Sequence, residues 1–456
     1  MRPKFPARHI FMDKSFLRQV ANLTIPMAIQ NLINTAVMAA DVFMIGRVGE
    51  KVLSGSSLAG QVYFVLNLIL FGTCSGANVL IAQYYGKGDF RTIEKVMGIT
   101  FRITLAASMV FFLATLITPS GLMRLFTTDP EVIGYGTQYL RIILFTYPIE
   151  AVVMSYLYIV RSMERVIIST VVYLVQLVVN VTGNAVLIYG LLGFPALGIR
   201  GAALATLTAR LVGLGITLYY AVFVNRQVRI RPLYILKTDR WLNGDYVKYS
   251  LPVVFNEMLW GLGITLTAAI VGHLGSSAVA AQSVASTVRQ LSMVISFGIA
   301  GSAAIMIGKE IGKGDLKTAE AYGKNFLILS LISGIFGALL ILIIRPHVIA
   351  GMGFRGMTAD YAGTFLLIMA YYTICAALNA TCIVGIFRAG GDTKIGLLID
   401  CGALYGGSIL LGFVTAFILK WPVKTVFIFL TCDEVIKLPV SLIRCKQKKW
   451  LSNVTR

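Results

Sequence analysis

The sequence is poor in charge, and above all in negative charge. Of 456 residues only 13% are Asp, Glu, Lys or Arg, and the 20 acids face 40 Lys and Arg. A soluble domain carries about 25% charged residues. A chain with so few cannot cover itself in water, which excludes a soluble enzyme and a disordered chain. Histidine is scarce as well. His9, His273 and His347 are scattered, and no H-E-x-x-H occurs, so a helix-borne zinc hydrolase is excluded. The six cysteines, Cys74, Cys375, Cys382, Cys401, Cys432 and Cys445, form no C-x-x-C. Five lie in or beside apolar runs and read as small packing residues rather than disulfides or metal ligands. No G-x-x-x-x-G-K-[ST] is present, so the chain carries no phosphate loop for ATP. No nucleophile stands with a base. The chain reads as a non-enzyme without a cofactor.

Apolar residues are abundant: 57% of the chain, with a mean hydropathy of +0.80. That furnishes roughly a dozen spanning helices of ~20 residues each. The runs predict helices near 17–46, 54–83, 96–118, 136–160, 166–190, 200–224, 247–272, 278–308, 322–344, 361–387, 395–419 and 423–443. The fold class is an all-α polytopic membrane protein with twelve transmembrane helices. The first apolar run is long and continues into further spans, so it reads as a first helix, not a signal peptide.

The net charge of +20 resembles a nucleic-acid footprint until the charges are placed. Alternate loops hold 28 of the 40 Lys and Arg, and the opposite loops hold eight. Positive loops stay in the cytoplasm, so the expectation is a multi-pass protein of the cell (plasma or inner) membrane with both termini cytoplasmic. Its neighbours are membrane lipids, not nucleic acid.

The chain repeats itself at a shift of 226. Pro26 meets Pro252, Gly46 meets Gly272, Phe71-Gly72 meets Phe297-Gly298, and Gly86-Lys87-Gly88-Asp89 meets Gly312-Lys313-Gly314-Asp315. Residues 26–94 show 17 identities over 69 positions, where biased composition gives roughly five or six. Two pseudo-symmetric six-helix bundles follow: an N-terminal lobe 1–224, a cytoplasmic linker 225–246, a C-terminal lobe 247–443 and a basic cytoplasmic tail 444–456. Six spans per half give both halves one orientation, an architecture for alternating access. The Gly-Lys-Gly-Asp pairs read as a helix stop followed by an Asp cap.

Carboxylates inside a span are costly and mark function by default. Asp41, Glu150, Glu257 and Asp400 stand well inside, and Asp433 and Glu434 lie in the last span with Lys437 one turn away. Asp41 is six residues before Arg47, so roughly 9 Å deep at ~1.5 Å per residue. Asn184 and Thr206 fall at the same level from the ends of their helices, and Asn180 is one turn from Asn184 on the same face. A carboxylate among amide and hydroxyl oxygens is a proton or hard-cation site, with Na⁺ as the candidate metal at Asp41, Asn180, Asn184 and Thr206. Glu257, five residues after Pro252, lies level with Arg289, and Arg210 is a candidate partner of Asp41. Either pair would keep its acid ionised. Glu150 follows Pro148 among aromatics and reads equally as site or buried pair. Tyr147, Tyr371 and Tyr372 are candidates to line a cavity for organic cations through their ring faces.

Asn180-x-x-x-Asn184, followed by Gly193-Phe194-Pro195-Ala196-Leu197-Gly198-Ile199-Arg200-Gly201-Ala202-Ala203-x-Ala205-Thr206, resembles the fifth-to-sixth helix signature of multidrug and toxic compound extrusion (MATE) transporters. Arg388-Ala389-Gly390-Gly391-Asp392-Thr393-Lys394 looks like that family's loop after helix ten. Pro26, Asp41, the Gly-x-x-Gly ending the first helix, and Pro252 with Glu257 match too. The resemblance covers nearly the whole chain and mixes NorM-like and DinF-like features. It implies two lobes of six helices that export small organic cations or amphipathic drugs in exchange for Na⁺ or H⁺. It further implies an N-lobe cation site at Asp41, Asn180, Asn184 and Thr206, and a C-lobe acid at Glu257. Some members carry an acid at the place of Asn184, and the NorM type carries one at the place of Ala377. The C-lobe site is therefore incomplete by that pattern. The expected protein is a monomeric cation-coupled antiporter, its drug cleft walled by apolar and aromatic side chains. The alternative is a flippase for lipid-linked oligosaccharides of the same broad superfamily, which needs a strongly cationic cavity; intramembrane bases here are few.

Overall fold

The computed structural model describes residues 12–237 and 239–456. Residues 1–11, which hold His9 and part of the basic stretch counted for orientation, lie outside the described residues. Among the described residues the secondary structure is helical, with no strand. The helices are α1 (Lys14–Gly46), α2 (Glu50–Lys87), α3 (Phe90–Ile117), α4 (Pro119–Arg124), α5 (Pro130–Ile143), α6 (Thr146–Ser162), α7 (Ile167–Tyr189), α8 (Ile199–Tyr219), α9 (Pro232–Leu236), α10 (Arg240–His273), α11 (Ser276–Ser292), α12 (Val294–Gly312), α13 (Leu316–Gly351), α14 (Gly356–Ala380), α15 (Thr393–Ala403), α16 (Leu410–Phe413), α17 (Val423–Leu430) and α18 (Asp433–Lys446). Wider π turns extend α8, α14 and α15 and follow α16; two of them are Thr381–Phe387 and Leu404–Ile409.

Ten described helices, counting the π extensions, are long and apolar enough to cross a membrane, and α5 with α6 makes an eleventh span bent by 52°. The bend has a local cause. Pro148 lacks the N–H that would bond the Leu144 carbonyl, and its ring crowds that carbonyl. The helix therefore breaks at Leu144 and Phe145, between α5 and α6. The run read as one span at 278–308 is α11 and α12, parted at Met293, and the run at 423–443 is α17 and α18, parted at Thr431 and Cys432. The twelve-helix fold stands, with three of its spans in two pieces.

Packing divides the chain into two compact units. One is Pro26–Leu266; the other is Thr267–Arg456 with the described residues before Pro26. These limits fall inside α1 and α10, whereas the repeat divides the sequence at the basic linker. In the first unit Leu66, Leu70, Leu140, Leu144 and Tyr147 form a core with no or almost no exposure. In the second, Phe365 and Phe427 stack at 3.6 Å between centroids, among Ala285, Ile341 and Leu366. Burial of such side chains contributes about 1.5–3 kcal/mol each by transfer from water.

The linker is held down within its own unit. Glu94 of α3 accepts from the Arg229 backbone N–H at 2.9 Å and pairs with Arg231 at 2.6 Å. Lys95 pairs with Asp239 at 2.6 Å.

Candidate cation site in the first unit

The site begins with a stripe of small residues. Gly201, Ala205, Ala209 and Gly213 recur every fourth position of α8, hence along one face, and all four are buried. A Cβ on Gly201 would collide with the Leu187 carbonyl, and one on Gly183 would stand 3.0 Å from Ala205. Small residues let α7 and α8 approach this closely, as at membrane helix interfaces generally. The polar side chains of α7 and α8 consequently meet.

They meet at the level expected from helix rise. Asn184 donates from Nδ2 to Asp41 Oδ1 at 2.5 Å and to Asn180 Oδ1 at 3.3 Å. Asn180 donates to Thr206 Oγ1 at 3.1 Å, and Thr206 donates to the Ala202 carbonyl at 3.0 Å. The end of α7 is tied to that of α1, since the Tyr189 hydroxyl donates to the Met44 carbonyl at 2.8 Å. Asn180 and Asn184 are buried, while Asp41 and Thr206 are half-buried. Asn184 Oδ1 is buried and has no hydrogen-bond partner.

One turn deeper stands a second polar level. Arg210 of α8 pairs with Glu150 of α6 at 2.8 Å. It also donates to Gln176 Oε1 at 3.2 Å and to the Tyr63 hydroxyl at 3.4 Å. The guanidinium is thus taken by Glu150, and Asp41 makes no ion pair among the described residues. The candidate Arg210–Asp41 pair is not formed. Glu150 is a buried paired acid rather than a free one. Tyr147 has no exposure and stacks on Tyr63 at 6.3 Å, inside the core rather than along an open wall. Glu257 is half-buried in α10 within this unit.

In the other unit, Arg289 lies over the Tyr372 ring at 5.3 Å and Tyr371 is 57% exposed. Tyr63 and Gln176 were missed by sequence reasoning. Gln176 had a signal, one turn before Asn180 on the same face of α7; Tyr63 had none.

The chemistry of the first level is one carboxylate with an amide donor on one oxygen, and an amide whose own oxygen is without a partner. Both oxygens accept, so the set fits a small cation or a proton. Among the described residues no group of three or more His, Cys, Asp or Glu is placed to hold a metal ion; this site has one acid and two amides.

The comparisons with known proteins agree with this architecture. The MatE family model matches residues 26–186 and again 252–418, two matches set apart by the same 226 residues as the internal repeat. The chain belongs to the MatE family, a family of multi-span membrane transporters. It is 26% identical over 425 residues to "Probable multidrug resistance protein YoeA" of Bacillus subtilis, covering 91% of this chain and 90% of that one. It is 22% identical to "Probable multidrug resistance protein NorM" of Thermotoga maritima, covering 95% and 93%. Among solved structures it resembles "Crystal structure of MATE in the bent conformation", with TM-score 0.86, 17% identity and 95% of each chain covered. It also resembles an outward-facing multidrug resistance MATE transporter, with TM-score 0.85, 17% identity, and 96% and 97% covered. At such identities the structures show the fold alone.

Proposed function

We propose that this protein exports small organic cations and amphipathic drugs from the cell by alternating access, in exchange for H⁺ or Na⁺ bound at Asp41. It works as a monomer in the cell membrane with both termini cytoplasmic. The observation that carries the reading is an acid about 9 Å from the end of a spanning helix, half-buried and without an ion pair among the described residues. An uncompensated charge in low dielectric is costly, so a cation that neutralises Asp41 changes which packing of the helices is favoured. Loading and release of that cation then drive the cycle. Protonation of the second Asp41 oxygen would remove the carboxylate's charge. A Na⁺ ion would draw on the same oxygens. The names of the curated relatives support drugs as cargo. The Arg210–Glu150 pair is a fixed charge pair that holds the polar floor of the site.

The test is ethidium efflux from everted vesicles with an imposed pH gradient or Na⁺ gradient in turn. Wild type should respond to one gradient, and Asp41→Asn to neither, at equal protein per vesicle. Undiminished efflux by Asp41→Asn overturns the reading.

A further inference from the structure

The second unit carries a groove on its surface that the role of Asp41 does not use. It runs between α15, with the π turn that extends it, and α18, and has a volume of about 650 Å³. Leu398, Ile436, Val440 and Ile443 wall it, and all four are exposed. Gly402 and Gly406 also line it, and a Cβ added at either would meet nothing within 4 Å. The missing side chains keep the groove open.

Its two ends differ. Gly407, Leu411 and Ile436 stand at one end; Ile395, Arg444 and Gln447 stand at the other. Arg444 ties that second end together, since its Nε donates to Asp392 Oδ2 at 2.7 Å. Its two NH₂ groups make no further hydrogen bond among the described residues. Lys394 precedes Leu398 by one turn of α15, and Lys446 follows Ile443 by one turn of α18. Both lysines are exposed and make no ion pair among the described residues. Three cations therefore stand with one carboxylate, Asp392, at this end. Lys437 lines the groove as well, but its ammonium is held by Asp400 at 2.8 Å, Asp433 at 2.9 Å and Glu434 at 2.7 Å. It adds no free charge.

The length of the groove points to its occupant. Ile436 and Gln447 are eleven residues apart, ~16 Å along a helix. That is about half of the ~30 Å hydrocarbon core of a bilayer. The groove is thus one leaflet deep, apolar within and basic at its mouth. An acyl chain suits the apolar length, and a phosphate suits the basic mouth. A soluble anion would use only the mouth, and an uncharged chain only the length. A zwitterionic headgroup would bring its own ammonium against the lysines.

We propose that this groove binds one anionic phospholipid, with an acyl chain along Gly402 and Gly406 and its phosphate among Lys394, Arg444 and Lys446. The site is built from the second unit alone and stands whichever ion couples transport.

The test places the full-length protein in phosphatidylcholine nanodiscs with a trace of phosphatidylglycerol that carries a photoactivatable diazirine in one acyl chain. The same diazirine on phosphatidylcholine is the comparison, and labelled peptides are read by mass spectrometry. The phosphatidylglycerol probe should label residues 395–411 and 436–447 roughly twentyfold more than the phosphatidylcholine probe. Lys394→Gln and Lys446→Gln should each cut that preference roughly fivefold, and together they should level the two probes. Gly402→Leu with Gly406→Leu should remove the labelling of these segments, while that of Ile332 and Phe336, exposed on α13, stays as in wild type. The lysines are exposed, so their variants decide the matter if the glycine variants fail to fold. Equal labelling by the two probes in wild type, or a preference that the lysine variants leave unchanged, overturns the proposal. Displacement of the probe by ethidium overturns it too, and makes the groove a path for cargo.

Discussion

The turn between the second and third helices of each repeat is built twice with nearly the same geometry. Gly88 and Gly314 take φ of 80° and 82°, a left-handed conformation that glycine adopts without strain. Asp89 and Asp315 follow with φ/ψ of −90°/78° and −89°/74°. Each carboxylate accepts from the backbone N–H and the hydroxyl of the Thr three residues on, at 3.0 Å and 2.7 Å in both copies. The buried acids behave in the opposite way. In the first unit a lone carboxylate is dressed by amides; in the second, three crowd one ammonium. Asp41 has Thr267 as its repeat partner, and Glu257 has Asn31. Helix stops depend on backbone geometry that each copy needs alike. Charged positions depend on what each half must bind, and the halves differ there.

The largest effect should come from the acid that stands alone. Asp41→Asn should abolish efflux driven by either imposed gradient, measured at equal protein per vesicle. Arg210→Gln leaves Glu150 buried without its partner and should lower stability by about 3–5 kcal/mol. Restoring neutrality with Glu150→Gln should recover much of that loss, as read by thermal unfolding in detergent. No recovery would mean that Gln176 and Tyr63 matter more than the charge.

The α7–α8 seam gives a third test. Gly201→Ala forces a methyl against the backbone carbonyl of Leu187, and should cost about 1–3 kcal/mol. Gly213→Ala pushes only on the movable end of Gln176, and should cost less while loosening Arg210. Equal melting temperatures for the two would contradict the seam.

The twin caps give the smallest effect. Replacing Asp89 or Asp315 by Ala should cost about 1 kcal/mol in each case. The hydrogen bonds from Thr318 hold the Asp315 carboxyl below its ordinary value of 3.8. Its contribution is therefore fully present above about pH 4, and is lost as the pH falls through the lower folded value. Asp315→Asn should flatten that acid limb of a pH–stability curve.

Much of this was legible in the sequence, for identifiable reasons. The spans and the repeat survive as long patterns that no single contact can erase. The level shared by Asp41, Asn180, Asn184 and Thr206 followed from helical rise and the positions of helix ends. What could not be read was partner choice. Arg210 faces Glu150 because α6 and α8 pack together, and nothing in linear spacing says that it passes over Asp41. Asp400 joins Lys437, 37 positions further along the chain, for the same kind of reason. The local Glu434–Lys437 pair, one turn apart, was visible. Breaks at Met293 and at Thr431–Cys432 carry no proline and left no signal.

The touchdown of the linker on Glu94 has a consequence for how the halves are tethered. Fifteen residues part Val224 from Arg240, five of them in α9, and this linker is stapled at Arg229 and Arg231, and again at Asp239. It therefore has almost no slack. Extra Gly-Ser residues inserted between those staples should bulge outward and leave its reach unchanged, whereas Glu94→Ala combined with Lys95→Ala should release both staples together.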